Sequence, residues 1–350
     1  MKKEHKKQFL LYSEAVLLTA VYCLSFVFSD NIKKGVGNSL SLCLNVIIPS
    51  VFPVMTVSNT LLLLGVPDAL NSILELFSEK LFGLSGGSAA CILFSLTGGY
   101  PVGVKNAKLL YEKKRLTLKE AQRTALMGVS PGLSFTISVV GAFFNSKLIG
   151  VTVCISSILA SISLGIILNA VLKPIKPSKK TREHNISVSE AFCSALEKST
   201  FSVISICSYI IIFSALSALL SSVLPPFFGK LLTYLSEVTS GTALAAKNGN
   251  IIFAGFLCGF GGLCIFGQLL PDIKFLKIKA FVFLLCRIIT GLFSAFYTSV
   301  FSTLLRLSVR ASNMPYGSLY SNSFSGSLML LGAVILMIVS SLEKTSEYRL

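Results

Sequence analysis

Charged residues are scarce in this chain of 350 residues: Asp, Glu, Lys and Arg make up 13% of the sequence, whereas hydrophobic residues make up 53%. Soluble globular domains usually carry about 25% charged residues, so the composition excludes an ordinary soluble domain. The mean hydropathy of +0.77 agrees with that conclusion. The composition therefore predicts a polytopic α-helical membrane protein.

Acidic residues are the rarer charged type, with 15 Asp and Glu against 31 Lys and Arg, which gives a net charge of +16. An excess of this kind also occurs in nucleic-acid-binding proteins. Here, however, the basic residues cluster in polar segments between apolar runs, which is the positive-inside pattern of membrane proteins. We therefore expect anionic lipids as partners, and no nucleic acid.

The sequence also lacks the patterns that are typical of disulfide frameworks, metal sites and common enzymes. Its nine cysteines contain no C-x-x-C pair and are scattered through apolar runs, which favours buried thiols. The two histidines, His5 and His184, both lie in basic polar segments, away from the serines and cysteines of the apolar runs. We therefore expect no cofactor, no bound metal and no enzymatic activity, with an intramembrane enzyme as an alternative.

Two stretches combine paired glycines with apolar runs that are too short to cross a bilayer. Residues 94–106 read FSLTGGYPVGVKN and close an apolar run that begins at residue 89. Residues 251–268 read IIFAGFLCGFGGLCIFGQ, with a short apolar run on each side of the glycine pair. Because a span needs ~20 apolar residues, each stretch is predicted to form a re-entrant hairpin. Such interrupted segments in corresponding halves indicate the substrate site of a transporter.

Both halves of the sequence repeat one order of elements: a span, an interfacial helix, a glycine-tipped hairpin and an interrupted span. In the first half, the sequence Gly-Val-Ser-Pro-Gly at 128–132 is predicted to break a helix halfway across the membrane. One additional span separates the halves, so the second half is predicted to be inverted. The predicted spans cover residues 9–28, 38–64, 118–144, 148–172, 191–221, 275–305 and 324–342, and the interfacial helices cover 70–82 and 227–235.

This order divides the chain into five segments: a cytoplasmic head with the first span (1–37), the first repeat with its connecting span (38–172), a basic cytoplasmic loop (173–188), the second, inverted repeat (189–305), and a polar loop with the last span (306–350). Basic residues at 2–7, 105–119 and 173–182, together with Arg306 and Arg310, are predicted to be cytoplasmic, and residues 222–250 to face the other side. Lys274, Lys277 and Lys279 fall on that other side.

Charged and polar groups at membrane depth are the candidate solute ligands. Arg287 lies inside an apolar run, where a charge costs at least ~2.5–3.5 kcal/mol. It is predicted to contact a solute carboxylate, with a structural ion pair or snorkelling as alternatives. Glu237 either caps the following helix or pairs with Arg287 or a coupling ion. Gln268 and Ser130 either bind solute or join helices, and the glycine pairs either form hairpin tips or permit close packing.

The segment TGGYPVGVKNAKLL at 97–110, followed by a basic stretch and an Ala-rich helix ending in GVSPG, resembles the nucleoside-recognition (Gate) domain family of membrane proteins. EVTSG at 237–241 and GFGGLCIFGQ at 259–268, with Arg287 downstream, resemble its YlbJ-type sporulation integral membrane proteins more narrowly. The similarity runs over nearly the whole chain, from about residue 40 to residue 305. The order of elements is also similar to the core of concentrative nucleoside transporters, although Tyr100 and Pro101 stand where those transporters carry an acidic residue.

The resemblance implies an all-α polytopic membrane protein of inverted repeats, with two re-entrant hairpins and broken helices. It implies alternating-access transport of a small anionic, dipicolinate-like dicarboxylate in spore formation, in the bacterial cell membrane or a forespore membrane, and by analogy a trimer. A nucleoside transporter and a non-transporting scaffold of a sporulation membrane complex are the alternatives. The candidate solute-binding residues are Thr97, Gly98, Gly99, Tyr100, Pro101, Ser130, Gly132, Glu237, Thr239, Ser240, Gly261, Gly262, Gln268 and Arg287.

Overall fold

The computed structural model describes residues 2–65, 78–172 and 186–307. Within these ranges the chain is helical throughout its regular elements and forms no β-strand. The predicted all-α fold is therefore confirmed. The basic loop predicted at 173–182 and the last span predicted at 324–342 lie outside the described residues, as does most of the interfacial helix predicted at 70–82.

The helices alternate between long, uninterrupted ones and short ones that meet at single residues or short breaks. In chain order they are α1 (Lys2–Val27), α2 (Ser29–Leu42), α3 (Ile48–Leu63), α4 (Gly86–Gly98), α5 (Tyr100–Glu112), α6 (Leu118–Met127), α7 (Lys147–Val171), α8 (Val188–Val223), α9 (Pro226–Ser236), α10 (Val238–Lys247), α11 (Ile251–Phe260), α12 (Gly262–Phe275) and α13 (Ala280–Leu304). Two π-helical segments occur, Cys43–Ile47 between α2 and α3, and Phe135–Val140, which continues into the turn Gly141–Phe143.

Four helical segments of the described residues are long and apolar enough to cross a membrane: α7, α8, α13, and α11 with α12 taken together as Ile251–Phe275. The segments Tyr12–Val27 and Ser29–Ile47 meet at an angle of 91°. If they form a single bent span, the number of crossings rises to five. Helices satisfy their own backbone hydrogen bonds, which a hydrocarbon environment requires. The chain is therefore a multi-pass membrane protein.

Helices α2 and α3 run antiparallel to the long helix α8. At one end of this pair, Asn31 Nδ2 donates to Ser222 Oγ at 2.6 Å. Towards the other end, Asn59 Nδ2 donates to Ser199 Oγ at 3.0 Å. We call the end with Asn31 and Ser222 the distal end and the opposite one the basic end, because the basic segment 105–119 packs there.

Two side-chain hydrogen bonds place other segments at the basic end. Arg115 Nη1 donates to the carbonyl of Leu62, at the end of α3, at 2.9 Å. Gln122 Nε2 donates to the carbonyl of Leu276, in the connection between α12 and α13, at 2.8 Å. The connection 276–279 therefore lies beside the start of α6, in which a capping box between Thr117 and Glu120 fixes the first turn.

This contact corrects the predicted topology. Lys274, Lys277 and Lys279 lie at the same end as residues 105–119 and not opposite them. Helix α13 starts from that end and runs towards the distal end, so Arg306 lies away from the other basic segments. The reason is that residues 251–275 cross the protein once, whereas a hairpin would have returned the chain to its starting side. The corrected arrangement gathers three more lysines at the basic end, which follows the positive-inside pattern better.

The first hairpin lies where it was predicted, and the second does not. Helices α4 and α5 fold back on each other at Gly99, so that a Cβ added at Gly103 would lie 2.9 Å from the Ser95 side chain. The second hairpin is formed by α9 and α10, which meet at Glu237; a Cβ added at Gly241 would lie 2.7 Å from the Tyr234 carbonyl oxygen. The interfacial helix predicted at 227–235 is thus the first arm of this hairpin.

The segment predicted as the second hairpin, 251–268, is instead a broken span. The segment Ile251–Phe275, which contains α11, Gly261 and α12, has 25 residues, enough to cross a bilayer. Gly261 and Gly262 both have positive φ values, 88° and 85°, which interrupt the helix without reversing its direction. This segment therefore corresponds to α6 and the helical residues after the break at 128–132.

Two units of the same construction result, residues 86–171 and 226–304. Each contains a hairpin, a ten-residue helix that ends at a break (α6 or α11), a further helical segment, and a final helix of 25 residues (α7 or α13). We call residues 128–132 the first break and Gly261–Gly262 the second break. The tips of the two hairpins, Gly99 and Glu237, are the first and second tips.

Candidate functional site

The first tip lies against the first break through backbone atoms. Gly99 has φ 87° and ψ −173°, a conformation that residues with a Cβ rarely adopt. A Cβ added at Gly99 would lie 3.3 Å from the backbone nitrogen of Gly132. Thr97 contributes as well, because its carbonyl oxygen would lie 3.2 Å from a Cβ at Gly132. The backbone conformation thus calls for glycine at Gly99, and a side chain at Gly132 would fit only if the tip moved by a few tenths of an ångström.

The second tip is held by a buried carboxylate. Glu237 is 4% exposed and adopts an extended conformation between α9 and α10. Its Oε1 accepts from the Thr239 N–H at 2.9 Å, and its Oε2 accepts from the Ser240 N–H at 2.7 Å and Ser240 Oγ at 3.1 Å. The carboxylate thus caps the first turn of α10, where the helix dipole favours negative charge. The sequence left two roles for Glu237, a helix cap or a partner of Arg287 or a coupling ion. The hydrogen bonds above are those of a helix cap.

The second tip also lies against the second break. A Cβ added at Gly262 would lie 3.3 Å from the carbonyl oxygens of Leu235 and Ser236 and 3.3 Å from the nitrogen of Val238. Each tip therefore contacts the break of its own unit through glycine.

Tyr100 joins the first tip to the second break. Its hydroxyl donates to the carbonyl of Cys258 at 2.8 Å, and its ring lies 3.3 Å from the position of a Cβ at Gly261. The Cys258 carbonyl belongs to the last turn of α11, where the break removes helical hydrogen-bond partners. The tyrosine hydroxyl supplies one of them.

Arg287 likewise donates a hydrogen bond to a backbone carbonyl at the first break. It is 1% exposed and donates from Nη1 to the carbonyl of Val129, just after α6 ends, and from Nη2 to Thr290 Oγ1 at 2.6 Å. Within the described ranges, no carboxylate lies within 4.0 Å of its guanidinium. A cation at a helix C-terminus is favoured by the helix dipole. The contacts of Arg287 thus serve the backbone of the first break.

The two tips and the first break border a cavity of about 60 Å³, which we call the solute cavity because residues predicted from the sequence to bind solute line it. It has room for a few water molecules. Nine of the predicted site residues line it: Thr97, Gly98, Gly99, Tyr100, Pro101, Gly132, Glu237, Thr239 and Gln268. The other five, Ser130, Ser240, Gly261, Gly262 and Arg287, lie beside it in the breaks and the hairpin and are absent from its wall. Apolar residues of α8 and of the π-helical segment after α2 complete the lining, with Ile206, Ile210 and Val46 among them.

Gln268 lines the solute cavity, and its side-chain amide has no hydrogen-bond partner among the described residues. Its side chain is 3% exposed, and neither its amide nitrogen nor its amide oxygen has a hydrogen-bond partner in the structure. A buried amide without partners carries an energetic penalty of ~1–3 kcal/mol. Because both atoms belong to a residue on the cavity wall, a ligand with a donor and an acceptor would remove that penalty.

A second cavity of about 200 Å³ lies on the distal side of Glu237, and we call it the distal cavity. Glu237 borders both cavities. The distal cavity is lined mainly by small polar side chains, which the sequence reading missed: Asn38, Ser39, Ser214, Ser217, Ser221, Thr233 and Ser236. A signal was present, since Ser214, Ser217 and Ser221 recur at spacings of three and four along an apolar helix and so share one face.

At the basic end, ion pairs close the space between the two units. Asp272 on α12 is bonded to Lys108 Nζ at 2.8 Å and lies 3.4 Å from Lys105 Nζ, both on α5. Lys108 also lies 4.9 Å from the centre of the Phe275 ring. From the sequence, Lys105 was used as part of the basic segment 105–119, and Asp272 was not among the predicted site residues. An acid inside an apolar segment is itself a signal for a functional or paired group.

Among the residues that the structure describes, no group of three His, Cys, Asp or Glu side chains is arranged to hold a metal ion. The cysteines in these ranges are all unpaired thiols.

Comparison with known proteins gives two similarities. The sporulation integral membrane protein YlbJ of Bacillus subtilis (strain 168) is 22% identical over 303 residues, which cover 74% of this chain and 74% of that protein. A solved structure of a doubly substituted CNTnw in an outward-facing state matches 83% of this chain and 84% of its own, with 14% identity and a TM-score of 0.48. No family model matches the chain, so membership of the Gate domain family stays a prediction.

Proposed function

We propose that this protein is an alternating-access transporter of a small polar solute, which binds between the two tips and the two breaks. The observation that carries the proposal is the meeting of both tips and the first break around one cavity, with the second break packed against both tips beside it. Non-helical backbone at membrane depth is tolerated only where protein buries it or where it lines a cavity, and transporters use such segments to hold solute. In this proposal both hairpins are re-entrant, the second unit is inverted, and the N-terminus is cytoplasmic.

The two ends of the solute cavity differ as alternating access requires. On the distal side, a hydroxyl-lined cavity reaches Glu237 and provides a polar route. On the basic side, the ion pairs of Asp272 with Lys105 and Lys108 join α5 to α12. In the proposed cycle these ion pairs separate when the basic side opens, while the second hairpin closes the distal route.

The charged and polar groups that line the solute cavity limit which solutes can bind there. Among its described lining residues Glu237 is the only charged one. A dicarboxylate, which the sequence resemblance suggests, would bind through N–H groups at the start of α5 and through the Gln268 amide. Arg287 would not contact the solute, because its donors bind the backbone of the first break and Thr290. The carboxylate of Glu237 would oppose a second negative charge nearby.

A specific observation favours a second candidate, a neutral solute of the nucleoside class. Gln268 offers both a donor and an acceptor without partners, and Glu237 adds acceptor oxygens beside it. A neutral ring with N–H and C=O groups would match these atoms without charge repulsion. Either solute exceeds a cavity of about 60 Å³, so binding requires the tips to separate.

Similarity to a sporulation integral membrane protein supports a role of this transporter in spore formation. The third candidate function, a scaffold that transports nothing, shares this support. The candidates therefore have to be separated by measuring flux.

The test is uptake of labelled dipicolinate and labelled uridine into liposomes that contain the purified protein, compared with protein-free liposomes. Gln268→Leu keeps the side-chain volume but removes donor and acceptor, so uptake of the transported solute should fall at least tenfold. Gln268→Glu adds a negative charge and should reduce dicarboxylate uptake more than nucleoside uptake. The control is Ser208→Ala on the exposed face of α8.

Two outcomes would contradict the proposal. Folded protein that transports neither these solutes nor related carboxylates and nucleosides would support the scaffold function. Uptake that is unchanged in both Gln268 variants would remove the solute cavity from the pathway.

A further inference from the structure

A third cavity lies at the basic end, away from the solute cavity, and has a volume of about 390 Å³. We call it the basic pocket. It lies where the start of α6, the end of α7 and the connection from α12 to α13 meet. Its described lining contains four cations and no acidic residue: Lys119, Arg123, Lys277 and Lys279.

The local structure holds these cations together. Gln122, which also lines the pocket, donates to the Leu276 carbonyl and so fixes the connection against α6. Arg123 is 5% exposed and is thereby held in the wall of the pocket. Lys277 has φ 56°, a turn conformation that directs the chain into α13.

Two acidic groups near the pocket have contacts with other residues. Glu120 accepts through Oε2 from the Thr117 N–H at 2.9 Å and from Thr117 Oγ1 at 2.9 Å. Asp272 is bonded to Lys108 and faces α5. Because Lys119, Lys277 and Lys279 line the basic pocket and no acidic residue belongs to its described wall, the pocket suits an anion.

The remaining wall of the pocket is aliphatic. Leu126, Leu172, Ile278 and Val282 line it, and Leu172 and Val282 are 41% and 39% exposed on the outer surface. Leu172 directly follows the last residue of α7 and Val282 lies in the first turn of α13, so both mark the ends of membrane-crossing helices. A ligand that carries a negative headgroup and an apolar chain satisfies both parts of this wall.

We propose that the basic pocket binds the phosphate headgroup of an anionic phospholipid, whose acyl chain lies along Leu172 and Val282. Basic pockets between helices at the cytoplasmic surface are suited to such headgroups. A free phosphate would satisfy the cations but would leave the aliphatic wall unused. The bound lipid links α6 of the first unit to the α12–α13 connection of the second, and so stabilises the basic end.

The experiment uses the purified, delipidated full chain in a neutral detergent. Thermal unfolding is measured while phosphatidylglycerol, phosphatidylcholine or inorganic phosphate is added. Phosphatidylglycerol should raise the unfolding temperature in a saturable way, whereas the other two should not, because a ligand stabilises only the state that binds it. The double variant Lys277→Gln/Lys279→Gln should weaken the apparent affinity for phosphatidylglycerol roughly 30-fold.

The matched control removes the same charge at the distal end, as Lys230→Gln/Lys247→Gln, both exposed lysines. This control should retain the response to phosphatidylglycerol. An equal loss in both double variants would show that net charge alone attracts the lipid and would overturn the assigned pocket. A shift by inorganic phosphate of the same size as that by phosphatidylglycerol would overturn the lipid in favour of a soluble anion.

Discussion

The two hairpin tips reach the same cavity by different means. The first tip is uncharged: Gly99 approaches Gly132 backbone to backbone, and the Tyr100 ring lies against Gly261. The second tip carries a buried carboxylate, and Glu237 holds its turn by capping α10. The first tip therefore depends on the absence of side chains, and the second depends on the chemistry of one side chain. Steric substitutions should damage the first unit, and isosteric substitutions should damage the second.

The two breaks, in contrast to the two tips, resemble each other. At each break, a backbone carbonyl accepts a hydrogen bond from a side chain of the other unit. Arg287 on α13 donates to Val129 in the first break. Tyr100 on α5 donates to Cys258 beside the second break. The carbonyls that the breaks expose thus become points of attachment between the units. Four substitutions, from the largest expected effect to the smallest, test this comparison.

The largest effect is expected from Gly103→Ala in the first hairpin. A Cβ at this position would overlap the backbone carbonyl of Gly128, and the Ser95 Cβ lies 2.9 Å away, so there is little room to adjust. We expect a loss of ~3 kcal/mol or more, seen as a collapse of the monodisperse folded yield. Gly87→Ala in the same hairpin meets only side chains at 3.7 Å or more and should be neutral or stabilising. Equal behaviour of the two variants would refute the close approach of hairpin and break.

The second effect concerns Arg287→Met, which keeps length but removes the donors to Val129 and Thr290. We expect a loss of ~1.5–3 kcal/mol of stability, the range for hydrogen bonds from a charged group. Arg287→Lys should recover part of it. Because Arg287 does not line the solute cavity, solute affinity of the folded fraction should stay unchanged, as measured by binding after size exclusion. A loss of affinity without a loss of stability would restore Arg287 as a direct solute contact.

The third effect is that of Glu237→Gln, which keeps the shape of the second tip and removes its charge. The cap of α10 should weaken by ~1–2 kcal/mol in thermal unfolding, and uptake should fall because the tip loses its fixed turn. Glu190→Gln, in the exposed capping box of α8, is the control and should cost less. If the two variants lose equal stability, the burial of Glu237 does not increase the contribution of its cap to the free energy of unfolding.

The smallest effect is expected from Tyr100→Phe, which keeps the ring against Gly261 and removes the hydrogen bond to Cys258. We expect a loss of ~0.5–1.5 kcal/mol, measured against Tyr22→Phe on the exposed surface of α1. Combining Tyr100→Phe with Arg287→Met tests the reciprocal attachment of the units. Effects that add without any coupling would show that the two attachments act independently.

Several features of the site follow from short stretches of sequence. Paired glycines and Gly-Val-Ser-Pro-Gly interrupt helices for local steric reasons, so the first hairpin and the first break could be located directly. Glu237 and Gln268 stood out as polar groups in apolar surroundings, and both line the solute cavity. The serines of the distal cavity were missed because each serine alone is common in membrane helices, and only their shared face against α2 makes a cavity.

The sequence by itself determined that the protein is an all-α membrane protein with helix breaks at defined residues, because composition and local backbone preference act without knowledge of the partner. The tertiary structure alone decided that residues 251–275 cross once, that α9 and α10 form the second hairpin, and that Lys274, Lys277 and Lys279 lie at the basic end. A glycine pair allows a helix either to turn back or to continue. The packing of α11 against α13 and the bond between Lys108 and Asp272 select continuation, and these contacts join residues far apart in the chain.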